Sequence, residues 1–150
     1  MKINRYNYGE ENNINLKLIV AIRRTLIEDE RNLSARLSEY GITLSQFSVL
    51  EPLYHLGPMN INSIIEKTLS TSGNMTVVIR NLEKGGYVTK KRDSEDGRVF
   101  IVSISQKGYD LIDNIFPEHV KEMRRFFSGL SFEEKKVLLQ LLKKVTGYQK

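Results

Sequence analysis

The sequence predicts a mainly α-helical protein that carries one small β-hairpin, a fold of the α+β class. Through most of the chain apolar residues recur at spacings of three and four, the pattern of helices that bury one face. After Gly85 and Gly86 the period changes to two over residues 87–91 and 99–103, which are joined by the polar segment "RDSEDGR". The predicted order is four helices, a hairpin and two further helices.

Composition excludes several classes of protein. A chain of 150 residues is expected to form a single domain, 1–150, that buries a core without disulfides or a metal. It contains no Cys, which excludes disulfides, thiolate zinc sites and thiol switches. The apolar stretches are too short to span a bilayer and the first residues lack an apolar signal core, so we expect a cytoplasmic protein with no membrane partner. A net charge of +5 permits a polyanionic partner.

The first two predicted helices have clear end signals. The first spans 14–40, and Gly41 follows it as a C-terminal cap. Thr43 and Gln46 have the spacing of a capping box that begins the second helix, in which Pro52 is expected to cause a kink. The apolar residues that share one face of the first helix are Ile19, Ile22, Leu26, Leu33, Leu37 and Tyr40. Those of the second helix are Phe47, Leu50, Leu53 and Tyr54.

Two shorter helices follow a predicted turn at "GPMN". Asn60 is expected to cap the first of them with its side chain, and the second spans 71–84. The apolar residues that predict one buried stripe on this second helix are Met75, Val78, Ile79 and Leu82. The helices that begin at Thr43 and Asn60, the helix 71–84 and the hairpin that follows it together predict a winged helix-turn-helix lobe over residues 43–104.

The helix 71–84 carries side chains that suit the reading of DNA. Asn and Arg make base-edge hydrogen bonds in the major groove, and Val77 can contact a thymine methyl group. The candidate contacts opposite the buried stripe are Gly73, Asn74, Thr76, Val77, Arg80 and Lys84. Ser70, Thr71 and Ser72, with the amides of the helix start, suit phosphate oxygens. An ordinary solvated helix face is the alternative, although Lys, Glu or Ala would be more usual there than Val and Gly.

The hairpin concentrates charge near its tip, and from residue 71 to 107 cations outnumber anions by seven to four. A hairpin beside a recognition helix lies over the neighbouring minor groove, where the potential is most negative, so Arg98 is the candidate to insert there. Asp96 is expected to hold the Arg98 guanidinium or the turn amides in place. The candidates for phosphate contacts are Lys90, Lys91 and Arg92. A solvated hairpin with alternating charges explains this segment alone equally well.

Two more helices are predicted after the hairpin. One runs from Ser105 to about residue 127, with Pro117 bending or interrupting it. Ser131 and Glu134 form a second capping box, which begins the last helix. The apolar face of that last helix consists of Val137, Leu138, Leu141, Leu142 and Val145.

The terminal helices predict a homodimer. The lobe of residues 43–104 can already bury its own core, whereas the broad apolar faces of 14–40 and 105–147 need another partner. We therefore expect these to be dimerisation helices that flank the lobe. Two-fold pairing would set the recognition helices about 34 Å apart, one turn of the duplex.

The stretch "LEKGGYVTKKRDSEDGRVFIVSISQKG" resembles the signature of the multiple antibiotic resistance regulator (MarR) family of bacterial transcription factors. In that pattern a recognition helix ends in Leu-Glu, a Gly opens the first wing strand, the tip carries Asp-x-Arg and a strand leads into Leu-Thr-x-x-Gly. The matching residues are Leu82, Glu83, Gly86, Arg92, Asp96, Arg98 and Gly108, with Ile104 and Ser105 as conservative departures. The stretch "ITLSQFSVL" is also similar to the family's second-helix start, with Thr43, Gln46 and Leu50 in place.

This resemblance covers nearly the whole chain. It implies a two-fold homodimer whose winged helix-turn-helix lobes bind a palindrome, and usually repression that a ligand lifts. Many relatives have a basic residue where Val77 stands, so their operator sequence does not transfer to this chain. More contact with thymine methyl groups is expected there.

The resemblance also implies a site for a small aromatic or other anionic effector between the dimerisation helices and the DNA-binding lobe. Residues that would line it here are Arg23, Tyr40, Phe47, Tyr54 and His55, with Arg23 or Arg24 as the counter-charge. Phe47 and Tyr54 are better explained as core, the more common role of an aromatic stripe at helical spacing. The histidines, His55 and His119, have no spacing that fixes a zinc site, so we predict neither a metal nor a cofactor.

These features together predict a transcriptional regulator that binds double-stranded DNA, and the resemblance implies that it is a repressor. An enzyme is not indicated, because the chain lacks a Cys nucleophile, a Gly-rich phosphate loop and a Ser elbow. A winged-helix module that binds other proteins is the alternative function. A steep fall of affinity with salt would distinguish DNA binding from that alternative.

Overall fold

The computed structural model describes residues 7–68 and 72–147, which fall into two compact units that divide between Tyr109 and Asp110. The elements in chain order are α1 Glu10–Glu39, α2 Leu44–Leu56, β1 Met59–Asn60, α3 Ile61–Thr68, α4 Ser72–Lys84, β2 Val88–Arg92, β3 Phe100–Ile104, α5 Gln106–Phe126 and α6 Phe132–Thr146. The predicted fold class, mainly α-helical with a small β-sheet, is confirmed. Within the described ranges, no helix is both long enough and apolar enough to span a membrane.

Helices α2 and α6 begin at capping boxes, as predicted. The Thr43 hydroxyl accepts a hydrogen bond from the Gln46 N–H at 3.2 Å, and the Gln46 side chain accepts one from the Thr43 N–H at 2.9 Å. Ser131 and Glu134 form the same reciprocal pair, at 3.3 and 2.7 Å. Each pair satisfies amide donors that a helix start otherwise leaves without an intrahelical acceptor.

Two helix predictions differ from the structure. Helix α1 begins at Glu10 rather than at residue 14, because Glu10 and Glu11 place negative charge at the positive end of the helix dipole. Pro117, expected to bend or interrupt α5, lies inside the helix without ending it, so of these two alternatives the interruption is wrong. A proline removes a single amide donor, which a helix of 21 residues tolerates.

The three strands form one antiparallel sheet in the order β1–β3–β2. The sequence predicted only the hairpin, whereas Met59 and Asn60, expected in a turn, pair with Val102 and Ile101 of β3. This pairing provides hydrogen-bond partners for main-chain groups on the second edge of β3. A strand of two residues is too short to be predicted from a sequence pattern. The Asn60 side chain also accepts a hydrogen bond from the Ser63 N–H at 2.8 Å, so the predicted cap of α3 is confirmed.

Both strands of the hairpin lie one residue later than predicted, at Val88–Arg92 and Phe100–Ile104. The Tyr87 N–H donates to the Leu82 carbonyl at 2.9 Å and therefore completes the end of α4. The Val99 N–H donates to the Asp96 carbonyl at 2.9 Å inside the hairpin tip. These two local bonds remove the first residue of each predicted strand from the regular ladder.

One complete face of α4 is buried in the core of the first unit. The predicted stripe is confirmed, since Met75, Val78, Ile79 and Leu82 are all at most 7% exposed. Other buried apolar residues of this core are Phe47, Leu50, Leu53, Ile64, Val88 and Val102. Burial of the whole stripe fixes which side of α4 points outward.

The apolar faces of α1 and α6 are largely exposed in the single chain. Leu33 and Leu37 of α1 are buried, but Ile19 and Leu26 are 43% and 55% exposed. Among the described residues α6 has no buried side chain, and its exposed apolar residues include Val137, Leu138, Leu141, Leu142 and Val145. Full burial of a large aliphatic side chain is worth about 1.5–3 kcal/mol, so these faces carry apolar stabilisation that the single chain does not use.

Candidate nucleic-acid interface

The outward side of α4 presents a continuous exposed stripe. Gly73, Val77, Arg80 and Lys84 follow one another at helical spacing opposite the buried stripe, and all four are exposed. Val77 is 43% exposed although it is aliphatic. The exposed residues that flank this stripe are Asn74, Thr76, Asn81 and Glu83. The helix therefore offers hydrogen-bond donors, acceptors and one apolar group on a single accessible face.

The predicted phosphate contacts at the start of α4 lie at the edge of the described chain. Ser70 and Thr71 lie outside the described residues. Ser72 is the first residue of α4, but its side chain also falls outside the description. Their part in binding phosphate remains a prediction.

The turn after α4 is fastened to the start of α5. The Ser105 hydroxyl donates to the Gly86 carbonyl at 2.6 Å and accepts from the Gly108 N–H at 3.1 Å. The Lys107 ammonium donates to the Gly85 carbonyl at 2.7 Å and lies 4.4 Å from the centre of the Tyr87 ring. These contacts fix the direction in which the hairpin leaves α4.

Gly108 is required at this junction by a close approach of the backbone. A Cβ atom at this position would overlap the Tyr87 carbonyl oxygen and lie 2.8 Å from Ile104 Cγ1. The backbone of α5 and the turn after α4 therefore pack against each other without an intervening side chain. The relative placement of α4 and the hairpin depends on this contact.

The hairpin tip is held by Asp93, which the sequence analysis did not single out. Its Oδ1 accepts hydrogen bonds from the Glu95 N–H at 2.7 Å and the Asp96 N–H at 3.0 Å. Its own N–H donates to the Val99 carbonyl at 2.9 Å. An Asp whose side chain accepts from the amide two residues later is a common turn device, so "RDSED" did contain the signal.

Asp96 holds both the backbone N–H and the guanidinium of Arg98. Asp96 Oδ1 accepts from the Arg98 N–H at 3.0 Å and from Nε at 3.1 Å, while Oδ2 accepts from Nη2 at 3.3 Å. The Arg98 side-chain bond and then its backbone bond lower the pKa of Asp96 from the ordinary 3.8. The Arg98 side chain is nevertheless 92% exposed. The contacts expected of Asp96 are therefore present, and they leave the guanidinium accessible.

The three basic residues of β2 have different surroundings. Arg92 Nη1 donates to the Gly97 carbonyl at 3.0 Å, and its guanidinium lies 5.3 Å from the centre of the Phe100 ring. Lys90 Nζ lies 5.0 Å from the same ring centre. Lys91 alternates to the other side of the strand and is exposed. Arg92 thus braces the tip in addition to carrying charge.

The candidate effector residues are only partly brought together. The Tyr54 and His55 rings meet edge to face with centroids 4.9 Å apart, and Tyr54 packs against the Tyr109 ring at 4.6 Å. Phe47 is 5% exposed and therefore belongs to the core. Tyr40 follows the end of α1 and is 38% exposed, and Arg23 lies on the exposed surface of α1.

A groove of about 340 Å³ lies in the first unit among α1, α2, α3 and α4. Its described lining residues are Asp29, Glu30, Leu33, Leu44, Ser45, Ser48, Thr68, Asn74, Met75 and Val78. The candidate effector residues do not line it. Because four helices contribute residues to this groove, no local sequence pattern could predict it. Among residues 7–68 and 72–147, no three His, Asp or Glu side chains are clustered so as to hold a metal ion.

Comparison with protein families and sequences identifies similar regulators. The family model described as "Transcriptional regulator SarA/Rot" matches residues 31–115. The uncharacterized HTH-type transcriptional regulator YkoM of Bacillus subtilis is 40% identical over 106 residues, which are 71% of this chain and 69% of that protein. The HTH-type transcriptional regulator MhqR of the same organism is 33% identical over 130 residues, 87% of this chain and 90% of that protein.

Solved structures show the same fold. AbsC, a MarR family transcriptional regulator from Streptomyces coelicolor, superposes with a TM-score of 0.82 at 18% identity over 95% of this chain and 97% of that chain. A mutant MarR from E. coli, solved in complex with operator DNA, superposes with a TM-score of 0.79 at 22% identity. The match covers 91% of this chain and 99% of that chain. BpsR from Bordetella bronchiseptica superposes with a TM-score of 0.77 at 21% identity over 87% of this chain and 98% of that chain. Its structure concerns the regulation of DNA binding by 6-hydroxynicotinic acid.

Proposed function

This chain belongs to the MarR-type winged-helix family of transcriptional regulators, with its family-model match in SarA/Rot, and on that premise we propose that it represses transcription as a homodimer bound to a palindromic operator. DNA binding and regulation of transcription are the activities of this family, which is not enzymatic. The proposal adds the oligomeric state, the sign of regulation, the contacts and the mode of release. In it, residues 43–104 form the DNA-binding lobe, and 14–40 and 105–147 are the dimerisation helices.

In this proposal α4 is the recognition helix and enters the major groove. The observation that carries it is the exposed stripe of α4, which lies opposite a fully buried face and so is free to meet a duplex. Asn74 and Arg80 form hydrogen bonds with base edges. Gly73 and Thr76 are small enough for the helix to approach the bases closely. Lys84 contacts the phosphate backbone of the DNA. Ser70, Thr71 and Ser72 contact phosphate at the helix start.

The hairpin acts as the wing, and Arg98 enters the adjacent minor groove. Its side chain is 92% exposed while Asp96 holds its guanidinium, so little side-chain freedom is lost on binding. Lys90, Lys91 and Arg92 contact phosphates on either side of the wing. The bond from Arg92 to the Gly97 carbonyl supports a tip that is ordered before DNA arrives.

A homodimer would cover the apolar faces that the single chain leaves exposed. Leu138 and Leu142 of α6 line an apolar trough of about 220 Å³ with Phe127, and Leu16 and Val20 line a shallow groove on α1. A second copy is the simplest partner with matching apolar faces. Its two-fold axis would give half-sites about 34 Å apart, so the operator is a palindrome.

Release of DNA by a small aromatic or anionic effector completes the proposal. It is supported by BpsR, a protein of the same fold whose DNA binding 6-hydroxynicotinic acid regulates. The residues proposed to bind it are Arg23, Tyr40, Phe47, Tyr54 and His55. Tyr54 and His55 already share a ring contact, whereas the buried Phe47 would have to become accessible.

The effector is tested by titrating a panel of aromatic acids, with 6-hydroxynicotinic acid among them, into the complex of the protein with its operator. Release by one acid, lost in Arg23→Ala and kept in the exposed control Arg31→Ala on the same helix, supports the proposed site. Release by none contradicts the effector part and leaves DNA binding untouched.

The central experiment is selection from randomised duplex DNA at about 150 mM salt, where non-specific phosphate binding is already weakened. Enrichment of a palindrome with half-sites one turn apart is the expected result. Affinity for the selected site should also fall steeply as salt increases. Enrichment of nothing by a folded, dimeric protein would overturn the proposal in favour of a winged-helix module that binds other proteins.

A further inference from the structure

We infer that Val77 recognises the C5 methyl group of one thymine in each operator half-site, and that Gly73 provides the close approach this contact needs. The inference rests on the proposed function and deepens it, since it names the chemical group that sets sequence preference at one base pair. It is carried by the placement of Val77 and Gly73 on the exposed stripe of α4.

Val77 is an aliphatic residue at the centre of the outward face. Its neighbours Val78 and Ile79 are 7% and 2% exposed because they belong to the buried stripe, whereas Val77 is 43% exposed. It therefore contributes little to the core. A β-branched residue is also a weaker helix former than Ala, Lys or Glu, so neither packing nor helix propensity explains a Val at this position.

Gly73 lies one helical turn before Val77 on the same stripe. A Cβ atom built at Gly73 would meet no atom of the described residues within 4 Å, so no packing contact with that part of the chain requires a glycine. Because Gly73 has no side chain, the surface of α4 beside Val77 lies closer to the helix axis. The backbone can then approach a base edge closely, as Gly allows wherever a ligand meets the main chain.

The chemistry of the major groove selects the partner of Val77. Its base edges present N7, O6 and O4 acceptors and amino donors, and the thymine methyl is the one apolar group among them. Valine against a polar edge would remove water from that edge without replacing its hydrogen bonds, which is unfavourable. When Val77 contacts a thymine methyl group, apolar surface is buried on both the side chain and the base.

The neighbouring side chains leave this role to Val77. Asn74 and Arg80 can form hydrogen bonds with base edges on either side of it, and Val77 itself can form none. Because Val77 does not distinguish O4 from an amino group, the methyl group alone is recognised. A 5-methylcytosine should therefore be accepted at this position better than cytosine.

The test uses the operator obtained by selection, synthesised with each thymine in turn replaced by deoxyuridine, which lacks only the methyl group. At one symmetric position affinity should fall about three- to fourfold per half-site, the equivalent of burying about one methyl group. For the palindrome with both half-sites changed, the fall should be about tenfold. At the same position 5-methylcytosine should bind more tightly than cytosine.

Two variants assign the effect to the residue. In Val77→Ala the preference for thymine over uracil at that position should fall, because two of the three side-chain carbon atoms are removed. Lys91→Ala is the matched control, because loss of a phosphate contact should weaken both duplexes alike and keep their ratio.

Each outcome has a definite meaning. If uracil is harmless at every position of a genuine palindromic operator, or if Val77→Ala keeps the thymine preference, the inference is wrong while the proposed function stands. If selection yields no operator, the proposed function fails first and takes the inference with it.

Discussion

The carboxylate of Asp96 binds Arg98 through three hydrogen bonds, one from the backbone N–H at 3.0 Å and two from the guanidinium at 3.1 and 3.3 Å. Both residues belong to the hairpin tip, and the arginine side chain is still 92% exposed. An ion pair this exposed adds little to folding stability. Its consequence is geometric, because it fixes the direction in which Arg98 leaves the tip.

The first prediction concerns the titration of Asp96. Its pKa is lowered from 3.8 because the Arg98 side chain, and then the Arg98 backbone, hydrogen-bond to the charged carboxylate. A lowered pKa means that the interaction is fully present above 3.8 and is lost as pH falls through the folded-state value. An NMR titration of the Asp96 carboxyl carbon should give a midpoint below 3.8 that rises in Arg98→Ala. An identical midpoint in both proteins would show that Arg98 does not stabilise the carboxylate.

Arg98→Ala should weaken operator binding by about 1–3 kcal/mol and relax the preference for A·T flanks, because the minor-groove contact is lost. Fluorescence anisotropy on operators with A·T and G·C flanks measures both effects. Glu95→Gln is the control from the same tip, since it keeps Arg98 and Asp96 in place. Normal binding by Arg98→Ala would mean that the wing does not enter the groove.

Asn74→Ala should cost about 1–3 kcal/mol at one base pair per half-site, because a bidentate base contact disappears. Lys90→Ala should instead weaken binding to all sequences alike and reduce its salt dependence. Competition binding against operators with single base changes separates these two patterns. Equal loss on specific and random DNA for Asn74→Ala would reassign Asn74 to a phosphate contact.

Gly108→Ala should destabilise the fold by about 1–3 kcal/mol, because the new Cβ atom would overlap the Tyr87 carbonyl oxygen. Gly129→Ala is the matched control, since a Cβ there would meet no atom of residues 7–68 and 72–147 within 4 Å. Urea denaturation followed by circular dichroism gives the free energy of unfolding of each variant. Equal stability of the two would contradict the close approach at Gly108.

Leu138→Glu combined with Leu142→Glu should convert the proposed dimer to a monomer at micromolar concentration. Both leucines are exposed in the single chain, so the charges should disturb the dimer more than the fold of the subunit. Sedimentation velocity measures the change, with Gln140→Glu on the same helix as the control. Wild-type protein that sediments as a monomer, or a dimer unaffected by both charges, would exclude α6 from the interface.

Several features could be predicted from sequence because they depend on neighbours in the chain. The stripe from Met75 to Leu82 follows from helical spacing, and the Thr43 cap from residues three positions apart. The contacts of Asp96 with Arg98 follow from a two-residue separation that confines both groups to one turn. In each case covalent geometry alone brings the partners within reach.

Other features depend on residues that are distant along the chain. Strand β1 forms because Met59 meets Val102, and Gly108 is needed because it touches the Tyr87 backbone. The sequence by itself determined the order of the helices, the buried face of α4 and the chemistry of its exposed stripe. Only the tertiary structure decided the third strand, the strand ends and the close contact behind the wing. The physical reason is that periodicity records which side of an element is apolar, whereas pairing and close packing depend on where the folded backbone brings distant segments together.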